Sequence, residues 1–174
     1  MKALLIVDMQ DHFFDSEPIE LNEKICEVIA EYRRLRWPIV VLEYRTNPYD
    51  PDDQWCGRTN DTIREELTGY RNLAIFGKDE DDGSRYIKAY ILNHMDGVEE
   101  LELVGVNLDC CVMSTAKGLA DDHYDKQITI LEECCDSNSS DVANRGYDEV
   151  LADTQERVNN SSPDNLQMLI NQRG

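Results

Sequence analysis

The chain has 174 residues, 36 of them acidic and 17 basic, for a formal net charge of -19 at pH 7. That balance argues against nucleic acid and anionic membrane surfaces as partners, because binding to phosphate is driven by Lys and Arg. The length suits one domain spanning residues 1–174, which would bury roughly 70% of its unfolded surface.

The first residues lack a basic segment followed by a long apolar one, and no apolar run approaches the roughly 20 residues that cross a bilayer. The expectation is a soluble protein of the cytoplasm. Six cysteines, including the adjacent pairs Cys110-Cys111 and Cys134-Cys135, have neither the spacing of a secreted disulfide framework nor that of a zinc site. Reduced thiols fit a cytoplasmic location.

Lys2 to Val7 is a nearly continuous apolar run, the pattern of a strand buried on both faces of a parallel sheet, and Asp8 stands at its exit. Leu21, Ile25, Val28, Ile29, Tyr32 and Leu35 recur at helical spacing, and Trp37-Pro38 ends that helix. Ile39 to Tyr44 is a second strand. Arg45 to Gly69, with two prolines, an Asp-rich turn and Trp55, is an irregular excursion holding a short helix.

Ala74, Ile75 and Phe76 mark a third strand with Lys78 at its exit. A helix follows, with Ser84 as N-cap, Tyr86, Ile87, Tyr90, Ile91 and Met95 on one face, and Asp96-Gly97 as its stop. The acidic run Asp79 to Asp82 reads as solvated surface, as does Asp121 to Asp125.

The stretch Leu101 to Tyr124 passes from a strand through a tight turn at Asn107 to Asp109 into a helix. Cys111 falls where turn meets helix, close to unpaired N–H groups and the positive end of the helix dipole, a position that favours thiolate. A buried cysteine is also an ordinary packing residue. Gln127 to Leu131 is a further strand. Helices are expected over about Val142 to Ala152 and Asp164 to Ile170, the last after Ser162-Pro163. Alternating strands and helices imply a doubly wound parallel α/β sheet, in which ligands bind at the carboxyl ends of the strands.

The opening LLIVDMQ, the mid-chain FGK and the segment GVNLDCCVMSTA together resemble the isochorismatase-like cysteine hydrolases, a family that includes nicotinamidases and N-carbamoylsarcosine amidases. The resemblance covers nearly the whole chain. It implies a three-layer α/β/α fold with a six-stranded sheet and a catalytic triad of Asp8, Lys78 and Cys111, with Cys110 as an adjacent packing residue. It also implies a cis peptide at Val106-Asn107, beside an oxyanion hole formed with Cys111. Phe13, shortly after Asp8, resembles the family's substrate-packing aromatic, and Trp55 is the second candidate for lining a pocket.

The reaction so implied is hydrolysis of a C–N bond in a small amide, carbamoyl or ureido compound through a Cys thioester. The alternative is a protein of the same fold that binds without turnover. Nicotinamidases hold a metal through an Asp and several His after the second strand. Here that region reads EYRTNPYDPDDQWCG, without His, and His12, His94 and His123 lie elsewhere. No metal or other cofactor is therefore expected. Between Lys78 and Ser84 the chain carries Asp-Glu-Asp-Asp-Gly, longer and more acidic than the family's pattern. Family members commonly form dimers or larger homo-oligomers, so a small-molecule substrate and a second copy of the chain are the expected partners. Asp8→Asn is expected to abolish turnover while melting near the wild-type temperature.

Overall fold

A computed structural model describes residues 1–45, 56–122, 125–138, 140–160 and 164–169. Six strands form one parallel sheet: β1 (Lys2–Val7), β2 (Ile39–Tyr44), β3 (Leu73–Lys78), β4 (Glu100–Val106), β5 (Gln127–Asp136) and β6 (Leu166–Leu169). Their order is β3-β2-β1-β4-β5-β6. The chain winds outward from β1 to one edge, returns to the middle at β4 and winds to the other edge, so the direction reverses between β1 and β4. In such sheets the crevice at that reversal is the usual ligand position.

Strand alternation sorts the core into two layers. Leu4, Ile6, Ile39, Val41 and Val104 face α1 (Ile19–Leu35) and α2 (Asp61–Leu67), packing on Leu21, Ile25, Ile29, Ile63 and Leu67. Ala3, Leu5, Val7, Leu42, Leu103 and Ile130 face the other way, against α3 (Ser84–His94), α4 (Met113–Asp122) and α6 (Tyr147–Asn159), through Ile87, Ala116, Leu119, Ala120 and Val158. The periodic apolar face read from the sequence of α1 is the face that packs. Arg36 closes that helix in a left-handed conformation (φ 58°), and Trp37 folds back edge-on to Tyr32.

Gly105 holds the centre of the sheet together. Its φ is +130°, and a Cβ built there would lie 2.0 Å from the carbonyl oxygen of Val7 on the neighbouring strand. Only glycine lets β4 lie against the exit of β1 in this way.

Three expectations are corrected. The C-terminal segment forms strand β6, pairing Ile128 with Leu166 and Ile130 with Met168, where the sequence reading expects a helix over Asp164 to Ile170. Four residues with apolar groups at Leu166, Met168 and Leu169 fit either period, and the open hydrogen-bonding edge of β5 decides. The helix expected over Val142 to Ala152 is two helices, α5 (Ser140–Arg145) and α6, separated by Gly146 at φ 87°. α6 then continues to Asn159, burying Val150, Thr154 and Val158. The helix expected to begin at Cys111 instead opens with one π-helical turn, Leu108–Val112, before α4. Among the described residues no helix is long and apolar enough to cross a membrane.

Candidate active site

Asp8, Lys78 and Cys111 converge at the carboxyl end of the sheet from the exits of β1, β3 and β4. Asp8 has a left-handed backbone (φ 54°), unusual outside glycine, and donates its N–H to the carbonyl of Leu42 at 3.0 Å. Lys78 ends β3 in register with Tyr44, and its Nζ passes 4.8 Å from the centroid of the Tyr44 ring. That ammonium reaches Asp8 Oδ2 at 2.8 Å, with both side chains fully buried. It also donates to the carbonyls of Glu80 at 3.0 Å and Asp81 at 3.4 Å.

Asn107 turns the chain out of β4 with a second left-handed backbone (φ 58°, ψ 59°). Its carbonyl accepts from the N–H of Cys110 at 3.0 Å and of Val112 at 3.1 Å, the wide loop of a π turn. Single π turns recur at functional sites. This one is anchored from outside: the Ser137 hydroxyl donates to Asp109 Oδ1, and Arg157 Nη1 donates to the Asp109 carbonyl at 3.1 Å. Two neighbouring strand exits thus carry a left-handed non-glycine backbone, a conformation enriched at functional sites.

Cys111 is only 4% exposed, and its thiol donates to Asp81 Oδ1 across 3.7 Å. Hydrogen bonding to Cys110, then burial and the negative charge of Asp8, hold that thiol well above its ordinary value, while Lys78 pulls the other way. Burial raises Asp8 above the usual carboxylate range, opposed chiefly by Lys78. Burial also works against the Lys78 ammonium, but Asp8 and Cys111 outweigh it and leave the lysine above its ordinary value. A carboxylate made more basic, a fixed cation and a protonated thiol can exchange one proton within a dry space.

Phe13 is half-buried on a short 3-10 turn (Asp11–Phe13) and meets Tyr44 edge-on, ring centroids 6.3 Å apart. Phe13, Tyr44 and Lys78 thus run in sequence toward the triad. Trp55 lies outside the described residues. Val106 ends β4 almost fully buried, followed by Asn107 at the turn. His12 is exposed, and Cys134 and Cys135 are buried on opposite faces of β5, as packing residues.

The sequence reading missed two positioning residues and misread a third. Gln10, fully buried, takes the N–H of Tyr44 at 2.6 Å and donates to the carbonyls of Tyr44 at 3.0 Å and Gly57 at 2.6 Å, stapling the exits of β1 and β2 to the end of the excursion. Thr115 Oγ1 accepts from the N–H of Gly83 at 2.9 Å and donates to the carbonyl of Asp81 at 3.4 Å, tying the acidic loop to α4. Asp81, read as solvated surface, touches the thiol. Asp82 caps α3 by accepting from the N–H of Ser84 at 2.8 Å, the role assigned to Ser84 itself.

Among the described residues, Asp81, Cys110 and Cys111 are the one group of three whose ligand atoms lie close enough, within 4.8 Å, to hold a metal ion. Because the set includes Cys111, a soft cation held there would occupy the thiol rather than activate a water. A cavity of about 540 Å³ lined by Val41, Glu43, Arg45, Arg58, Tyr70 and Ile75 opens on the other face of the sheet and includes none of the triad.

The fold has close counterparts among solved structures. The yeast nicotinamidase Pnc1p is 20% identical, with 97% of this chain and 99% of that one covered at a TM-score of 0.73. The N-carbamoylsarcosine amidase of Thermoplasma acidophilum is 20% identical over 82% and 88% of the two chains, at 0.64. The MAR1 ribonuclease of Caenorhabditis elegans is 19% identical over 94% and 92%, also at 0.64. At these identities the likeness is one of fold, which is shared here by proteins with different activities. No curated protein matches the sequence. The family model for the isochorismatase domain matches residues 2–154, most of the chain and all three converging residues, and the protein therefore belongs to the isochorismatase domain family.

Proposed function

We propose that this isochorismatase-family hydrolase is a cysteine amidohydrolase that cleaves a C–N bond of a small amide, carbamoyl or ureido compound. The observation that carries the reading is the buried Asp8–Lys78 ion pair, 2.8 Å long, beside the buried thiol of Cys111. Two opposite charges are taken out of water next to a nucleophile, an arrangement costly to build for packing alone.

In the proposed reaction the Cys111 proton passes to Asp8 as Sγ attacks the substrate carbonyl. Lys78 stabilises the negative charge that this creates. The oxyanion of the tetrahedral intermediate is held by backbone N–H groups of the Asn107 to Cys111 turn. Collapse breaks the C–N bond, and Asp8 returns its proton to the departing ammonia or amine. Water, deprotonated by Asp8, then cleaves the thioester and restores the thiol. Phe13 and Tyr44 offer an aromatic wall for the body of the substrate.

The burial of the thiol favours a second reading, a binding protein without turnover. An ammonia-release screen over small amides, ureides and carbamoyl compounds separates the two when run with the wild type and Cys111→Ala. Release that disappears in Cys111→Ala supports the hydrolase. No release from any compound, together with Cys111 alkylation no faster than that of Cys110, Cys134 or Cys135, would sink it.

A further inference from the structure

Resting on the amidohydrolase reading, we infer that Asp81 makes the site selective for a positively charged substrate, a small amide or ureide bearing an ammonium or similar cation. The acidic loop after β3 spends its other charges elsewhere. Asp79 and Glu80 pair with Arg85, at 2.7 and 2.6 Å. Asp82 caps α3. Asp81 has no cationic partner among the described residues; its carboxylate meets the Cys111 thiol, while its other side is open to solvent. It therefore stands between solvent and the nucleophile.

That position is built rather than incidental. Lys78 Nζ and Thr115 Oγ1 both donate to the carbonyl of Asp81, each at 3.4 Å, and Thr115 also holds the following Gly83. Gly118 permits the close approach of α4, since a Cβ there would lie 2.4 Å from Ser84 Oγ and 2.6 Å from Asp82 Oδ2. Since Asp8 and Lys78 cancel, the charged groups around Sγ leave one net negative charge, that of Asp81. Phe13, packed edge-on against Tyr44, adds an aromatic ring of the kind that attracts cations, while the Tyr44 ring already holds the Lys78 ammonium. A carboxylate beside a thiol favours a cation and repels a carboxylate or phosphate.

Two measurements test this, one independent of turnover. In a Cys110→Ala background, Cys111 is modified with methanethiosulfonates carrying either a trimethylammonioethyl or a sulfonatoethyl group. Each step forms a disulfide to Sγ and releases methanesulfinate, and peptide mass mapping follows the Cys111 peptide. The cationic reagent should react at least about tenfold faster, and Asp81→Asn should reduce that ratio about tenfold while Asp81→Glu largely keeps it. Glu99→Gln, the same change in net charge at an 88% exposed side chain, should leave the ratio within about twofold.

The second measurement compares kcat/KM for ammonia release from trimethylammonioacetamide and its neutral isostere 3,3-dimethylbutanamide. The cation should be preferred about tenfold, and Asp81→Asn should remove the preference. An unchanged reagent ratio in Asp81→Asn, or an equal fall in Glu99→Gln, overturns the inference. If neither amide is hydrolysed while the reagent ratio behaves as expected, charge selection stands and the amidohydrolase reading is what weakens. Hydrolysis without preference, with a flat ratio, does the reverse.

Discussion

At the level of single residues, the proposed chemistry turns on three side chains from distant parts of the chain. Cys111→Ala removes the atom that would carry the thioester and should lower turnover about a thousandfold or more, while costing about 1 kcal/mol of stability. Asp8→Asn should be equally inactive but less stable, contrary to what the sequence alone leads one to expect. With both partners fully buried, removing the carboxylate leaves the Lys78 ammonium uncompensated, a loss of about 3–5 kcal/mol. Denaturant melts should show this, and Asp8→Asn combined with Lys78→Met should recover most of the loss. If Asp8→Asn melts with the wild type, the buried ion pair is not formed in solution. The pH profile belongs to the same group. Asp8 must be ionised to act as base, and its raised value moves the acid limb of kcat/KM above the ordinary carboxylate range. Lys78 is raised above 10.5, so its stabilising contribution is complete below that pH and is lost as pH climbs through the folded value. Unfolding followed across the alkaline range, wild type against the Asp8→Asn, Lys78→Met double variant, isolates it. The strand-exit positions of Asp8 and Lys78 were legible in the sequence as polar residues after apolar runs, whereas their meeting with Cys111 was implied only by the family resemblance. Asp81 was not legible, because one acid in a run of four looks like its neighbours until the loop is folded.

At the level of elements, the strands were easier to read than their ends. β1, β2 and the helix α1 follow directly from their periodicities, whereas β6 and the division between α5 and α6 depend on an open sheet edge and on one glycine, neither visible locally. Gly105 makes the tightest test of the sheet's centre. Gly105→Ala would press a methyl group to 2.0 Å from the Val7 carbonyl and also strain its φ of +130°, so a destabilisation above about 3 kcal/mol, or failure to accumulate as folded protein, is expected. A folded Gly105→Ala with wild-type melting would mean that β4 and β1 are spaced more widely than described. Thr115→Val is the milder probe. It removes the acceptor for Gly83 and the donor to Asp81, and should lower kcat/KM about tenfold with about 1–3 kcal/mol lost in a denaturant melt.

At the level of the whole molecule, 36 acidic residues against 17 basic ones leave a net charge of -19. Mutual repulsion of that size disfavours the compact state and is relieved by screening. Raising salt from about 0.01 to about 1 M shortens the screening length from about 30 to about 3 Å, and the melting temperature should rise by several degrees. A flat response would mean that local pairs such as Lys2 with Glu100 and Glu102 already absorb most of the repulsion.

The sheet order β3-β2-β1-β4-β5-β6 also carries a timetable. On the ribosome, β1, β2 and β3 emerge first, and they are contiguous in the finished sheet, so Asp8 and Lys78 can meet before Cys111 has been made. Until β4 arrives, the apolar β1 is an open edge, the kind of strand that seeks another chain. A nascent chain stalled before residue 100 should therefore hold its ion pair and be sticky. Growth of the chain then covers the edge and delivers the nucleophile in the same step, since Gly105 and Cys111 belong to one strand and its turn. Synthesis thus supplies the Cys111 thiol last of the three, to a charge pair already in place.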